Sequence, residues 1–94
     1  MKILFLPSAS IELLDVINFY DFHSPELGVA FQKEFFEVLD FIQIFPNAWQ
    51  KVGSHTRKCV LKKFPYIILY IADGEKLLIS AIAHQHRHPK SYLR

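Results

Sequence analysis

Ninety-four residues make one small domain, 1–94, and a domain of this length buries only about two-thirds of the surface its unfolded chain exposes. Hydrophobic residues are 51% of the chain and charged ones 21%, a globular balance that excludes disorder, and no apolar run reaches the roughly 18 residues of a membrane span. The net charge of +2 hides a split: residues 1–46 hold two lysines against seven carboxylates, residues 47–94 nine lysines and arginines against two carboxylates, and such a field concentrates an anionic partner on one side.

The opening "MKILFLPSAS" has one lysine, a very short apolar stretch and no small-residue cleavage site, so no signal peptide is expected. Cys59 is the single cysteine, which excludes an internal disulfide and fits a cytoplasmic location. Residues 2–7, "KILFLP", read as a buried strand ended by Pro7. Ser8 then stands where a helix N-cap belongs, and Leu13, Val16, Ile17 and Tyr20 follow at helical spacing. "HSPELG" breaks this helix; Ser24 caps a second one, with Pro25 at its first position and Glu26 at its positive end. Leu27, Phe31, Phe35, Val38, Ile42 and Phe45 make a continuous stripe along it, with Glu34, Glu37 and Asp40 off the stripe and facing water. "FPNAWQKVGSHT" reads as a loop.

From there the period changes to that of strands. "RKCVLKKF" alternates imperfectly, "YIILYIA" is a β-branched and aromatic run, and "LLISAIAH" returns after the hairpin signal "DGEK". Three strands in a row make an antiparallel meander, with Lys62 and Lys63 as charges that guard an edge strand. The predicted order is β-α-α-β-β-β: an α+β domain with a small antiparallel-type sheet and both helices packed on one face, since their apolar stripes have nothing else to bury against.

These stretches, in this order and at this length, resemble the RelE/ParE superfamily of bacterial toxins, the toxin halves of type II toxin–antitoxin systems, often described as plasmid-stabilisation proteins. The most specific pieces are Phe64, Pro65, Tyr66 and Tyr70, and the closing Ala83, His84, Arg87 and Pro89. The resemblance implies a cognate antitoxin that wraps and blocks the toxin, either as a toxin–antitoxin hetero-oligomer or beside a toxin homodimer. It leaves the activity open between two branches. ParE-like members inhibit DNA gyrase and RelE-like members cut mRNA on the ribosome; a non-toxic binding module is a third reading.

The tail "AIAHQHRHPKSYLR" carries the candidate chemistry. Metal-free RNA cleavage needs a base, a cation for the charge growing on phosphate, and an acid. His84, Arg87 and Tyr92 supply those types, with His86 and His88 as further candidates for acid or base. RelE-like nucleases also carry an arginine on the middle strand, where this chain has Ile67 and Ile68. Arg57 or Lys62 substitutes only if its side chain faces the same cleft. On the ParE-like reading the cationic half is a binding surface without chemistry, with Arg57, Lys62, Arg87, Lys90 and Arg94 as its contacts to target or nucleic acid. His84, at the end of an apolar strand, reads equally as a structural histidine.

His84, His86 and His88 alternate, but Pro89 ends the strand and no carboxylate or thiol completes a site, so neither a metal nor any cofactor is expected. Phe19, Phe22, Phe36 and Phe41 exceed what the helix stripes accommodate and are the candidate antitoxin-binding residues. Trp49 docks the loop on the core or meets a partner.

Overall fold

The β4–β5 hairpin organises the molecule. In the computed structural model, which describes residues 1–86, β4 (Tyr66–Asp73) and β5 (Lys76–His84) pair along their whole length. Asp73 faces Lys76, so "DGEK" is the hairpin turn as expected, with Gly74 and Glu75 as its two central residues. Gly74 has φ +59° and is the one residue described with positive φ; positive φ at the first central residue alone is the II′ pattern, which glycine adopts without strain.

Around this pair the sheet runs β1-β5-β4-β3-β2. β3 (Arg57–Val60) lies antiparallel to β4, as the meander requires. Two features depart from the sequence reading. β1 (Lys2–Phe5) pairs with β5 in parallel, from Lys2 opposite Lys76 to Phe5 opposite Ile79, so the sheet is mixed. The helical hairpin between β1 and the meander brings β1 to the outer edge of β5 in that direction. A further strand, β2 (Gln50–Lys51), forms within the predicted loop; two residues are too few to show a period.

The helices α1 (Pro7–His23) and α2 (Pro25–Ile44) meet at Ser24, which ends one and starts the other. Pro25 takes the first helical position as predicted, but the Ser24 hydroxyl donates to the Glu26 carboxylate (2.8 Å) and caps no backbone N–H. α1 starts earlier than Ser8 suggests: Pro7 is already helical and Leu6 is its N-cap. Gly28 allows the tight hairpin, because a Cβ there would collide with the Asp21 carboxylate.

One sheet face carries the main core. Phe31, Phe35, Leu39 and Ile42 of α2 and Ala9 and Val16 of α1 pack on Cys59, Ile68, Tyr70, Leu77, Ile79 and Ile82. The α2 stripe is therefore rotated slightly from its predicted position. Gly28 and Leu39 are buried, whereas Leu27 and Phe45, its predicted ends, are 43% and 57% exposed. Truncating Phe31 or Phe35 to alanine costs about 3–5 kcal/mol, the range for a fully buried aromatic.

The opposite face has a smaller cluster of Ile67, Leu69, Ala81 and Ala83, against which Val52 packs. A bulge reconciles the two faces. Leu69 pairs with Ala81 but Tyr70 with Ile79, so Ser80 is the extra residue, and its hydroxyl donates to the Leu69 carbonyl (3.2 Å). Without it Leu77 and Ile82 could not share the helical face, because alternation would send one of them outward. No helix among the described residues is long and apolar enough to cross a membrane.

Candidate functional site

Arg57 opens β3 opposite Tyr70. Both side chains lie on the helical face and turn towards the chain that leaves α2. The Arg57 guanidinium donates to the Trp49 carbonyl at 2.7 Å, and the Tyr70 hydroxyl to the Pro46 carbonyl at 2.7 Å. Trp49 packs on the core edge beside them. Burial pushes the Tyr70 phenol up to about 12, with the Arg57 charge pulling the other way and Cys59 adding to the rise. Burial likewise pushes the Cys59 thiol up to about 11, helped by the Glu34 carboxylate. The thiolate is the nucleophilic form, so Cys59 is inert at neutral pH.

The other end of the same strands is built differently. Tyr66 begins β4 and pairs with His84 at the end of β5, their rings edge to face with centroids 5.3 Å apart. Tyr66 also meets Tyr20 of α1 (6.3 Å) and Phe31 of α2 (6.0 Å). Burial raises its phenol, and that of Tyr20, which the Tyr66 charge raises further. His84 is half-buried and its Nδ1 accepts the His86 backbone N–H (3.2 Å), which makes Nε2 the protonated nitrogen of the neutral ring. This bond is local, to an N–H two residues on, and not the bond to a backbone carbonyl that a structural histidine at the end of an apolar strand would make. The His86 ring lies 5.1 Å from that of His84 and is exposed.

Lys62 joins this end of the sheet. It sits with Lys63 after β3 has finished, in the turn that leads into Tyr66, so both lysines are turn residues and not strand guards. Glu34 holds the turn: its carboxylate accepts the Lys62 N–H at 2.7 Å and the Lys63 N–H at 3.0 Å. The expectation that Glu34 faces water is corrected here; two backbone donors 28 and 29 residues away make it a tether between α2 and the sheet. Of the five predicted cationic contacts, Lys62 is exposed and Arg57 is half-buried at the far end of β3, committed to a carbonyl. Arg87, Lys90 and Arg94 lie outside the described residues, as does Tyr92.

The four phenylalanines are all on the surface: Phe19, Phe22, Phe36 and Phe41 are 52%, 89%, 48% and 56% exposed. They do not form one patch. Phe19 and Phe22 flank His23 near the hairpin tip, where His23 Nδ1 donates to the Phe19 carbonyl (2.8 Å). Phe36 lines a shallow apolar groove between the helices with Leu13, Leu14 and Ile17. Phe41 faces the other way, into a groove of about 340 Å³ between α2 and β3, whose floor is Val38, Trp49, Cys59 and Val60. That second groove draws on α2, the loop behind it and β3, and no local sequence signal links them.

Comparison with known proteins identifies the fold. A solved structure titled "Chromosomal ParDE TA system from P. aeruginosa" superposes with a TM-score of 0.75 over 89% of this chain and 95% of that one, at 17% identity. No curated protein sequence matches the chain. Residues 3–89 match the family described as "ParE toxin of type II toxin-antitoxin system, parDE". With nearly its whole length matched, the chain belongs to the ParE toxin family.

Proposed function

We propose that the chain is the growth-inhibiting component of a toxin–antitoxin pair, acting in the cytoplasm by binding a cellular target, DNA gyrase, through its cationic half. A cognate antitoxin neutralises it by covering exposed phenylalanines, with Phe22 as the strongest anchor because almost none of its ring touches this chain. Lys62 at the open end of the sheet, together with Arg87, Lys90 and Arg94, provides the contacts to the target.

One observation favours binding over RNA cleavage. β4 carries no basic residue, its side chains from Ile67 to Tyr70 are buried, and the arginine best placed to substitute is tied to the Trp49 carbonyl. The guanidinium that RelE-like nucleases carry on the middle strand is therefore missing, which leaves Arg87 as the candidate clamp for the charge that grows on a cleaved phosphate.

Induced expression in a bacterial host separates the readings. Growth arrest with intact mRNA and a DNA-damage response is expected. Arrest with cut mRNA and no damage response moves the chain to the nuclease branch, where Arg87→Ala slows cleavage at least about a hundredfold by removing transition-state charge stabilisation. No arrest at all leaves a non-toxic binding module. Deleting residues 87–94 is expected to abolish target binding while the helical core stays folded.

A further inference from the structure

The sheet face opposite the helices is drier than its described neighbours explain. Ile67 and Leu69 of β4 and Ala81 and Ala83 of β5 lie there at 3%, 0%, 0% and 1% exposure. A sheet with helices on one face leaves the other solvated unless something covers it. Among the described residues, Val52 is the partly buried hydrophobic that packs on this cluster. It follows β2, and β2 stands three strands from β5, roughly 14 Å at the usual spacing of paired strands. One valine side chain does not span that distance to dry the alanines.

The dry zone has edges. Towards the hairpin turn, Ile71 and Leu78, paired on the same face, are half-buried, and Asp73 and Lys76 are exposed. Across to β3, Val60 stands opposite Ile67 yet is 47% exposed. The cover therefore lies along β4 and β5, at the end where the chain leaves β5. There the Gln85 N–H donates to the Pro65 carbonyl (2.8 Å) and the His86 N–H to His84 Nδ1 (3.2 Å), which makes a turn at the exit. Residues 87–94 follow it, and eight extended residues span about 26 Å, enough to run back over the cluster.

From the dry zone, its edges and the exit beside it we infer that residues 87–94 close this face as a strap, whose functional part rests on the target-binding reading above. Alternate side chains of an extended segment share a side, so Pro89, Ser91 and Leu93 turn to the sheet and Lys90, Tyr92 and Arg94 away from it. The small side chains of Ala81 and Ala83 leave room for a backbone to approach, and Leu93 is the apolar anchor. Lys90 and Arg94 are then held on the face that also carries Lys58, opposite Leu69, before any target arrives. That spares the ordering cost a free tail pays on binding. Leu93 is thus a positioning residue for target binding and no contact to the target itself.

Nuclear Overhauser spectra of the full chain read the strap directly. Cross-peaks from the Leu93 methyls to those of Leu69, Ala81 or Ala83 are expected. Their absence overturns the inference. So does a sample mixed from labelled and unlabelled chain in which the contacts run between molecules, since the cover is then a second copy. Leu93→Ser is expected to lower the melting temperature by about 4 °C or more and to weaken gyrase binding at least about tenfold, although it removes no charge. Leu93→Met, which keeps the apolar volume, is expected to bind within about threefold of wild type. Intact cross-peaks in the wild type with undiminished gyrase binding by Leu93→Ser would remove the positioning role. If the cross-peaks are present and the wild-type chain does not bind gyrase, the strap stands and the target reading falls.

Discussion

The two ends of the β3–β4 pair use similar residues to opposite purpose. At one end a tyrosine and an arginine, Tyr70 and Arg57, are spent on the carbonyls of Pro46 and Trp49. At the other, Tyr66 meets the half-buried His84, Tyr20 and Phe31 where α1, α2 and the sheet converge, and the exposed Lys62 lies in the turn that leads into Tyr66. What separates them is the chain that crosses above. The segment from α2 to β2 has no helix or long strand to satisfy its carbonyls, so the sheet beneath must donate to them. No such demand falls on the Lys62 side chain, because the turn amides of Lys62 and Lys63 are satisfied by Glu34.

The largest effect that sharpens this contrast is expected from Arg57→Ala. It leaves the partly buried Trp49 carbonyl without its charged donor and lowers unfolding free energy by about 1.5–3 kcal/mol, measured by denaturant melts. Tyr70→Phe removes one neutral bond to a carbonyl and costs about 1–2 kcal/mol in the same assay. A loss below about 0.5 kcal/mol for Arg57→Ala, the usual scale of a surface change, would place the arginine among the free groups and erase the contrast.

Next in size is the alkaline limb of stability. Tyr70 and Cys59 both hold their protons more tightly when folded, at about 12 against an ordinary 10.0 and about 11 against 9.0. The unfolded chain therefore ionises first, binds fewer protons than the folded one, and gains relative stability as pH rises. Stability from these groups is intact below pH 9.0, declines from there as the unfolded thiol ionises, and declines more steeply above pH 10.0 as the unfolded phenol follows. Melting temperatures across pH 8 to 11 check the sign. Tyr70→Phe is expected to flatten the part above pH 10.0; an unchanged slope would mean that Tyr70 is solvated in the folded state.

The smallest stability effect is reserved for the open end. Lys62→Ala is expected to change the unfolding free energy by less than about 0.5 kcal/mol while weakening target binding severalfold. A stable variant with undiminished activity removes Lys62 from the contact surface.

Much of the fold was legible because its signals are local. Pro25 behind Ser24, the phenylalanines of α2 at steps of three and four, and the apolar runs on either side of Gly74 each announce an element within a dozen residues. The parallel placement of β1 was not legible, because nothing in "KILF" says which edge it joins. β2 escaped because it is held by pairing to Arg57 and Lys58 and by no pattern of its own. Glu34 looked like a solvated helix residue since its partners stand 28 and 29 positions away. The same reason hid the commitment of Arg57: charge composition marks it as basic, but only the path of the 46–49 segment across β3 decides what it binds. The exposure of Phe19, Phe22, Phe36 and Phe41 was readable from their surplus over the core stripes, while their division among separate surfaces needed the helix packing.

One measurement bears most directly on the central reading, that the cationic half binds gyrase without cutting RNA. Purified chain is added to gyrase and relaxed plasmid, and supercoiling is followed with and without the adjacent reading frame's product, alongside a ribosome-dependent mRNA cleavage assay. Loss of supercoiling that the added protein restores, with mRNA left whole, is the expected result. Undisturbed supercoiling together with cleaved mRNA would contradict it.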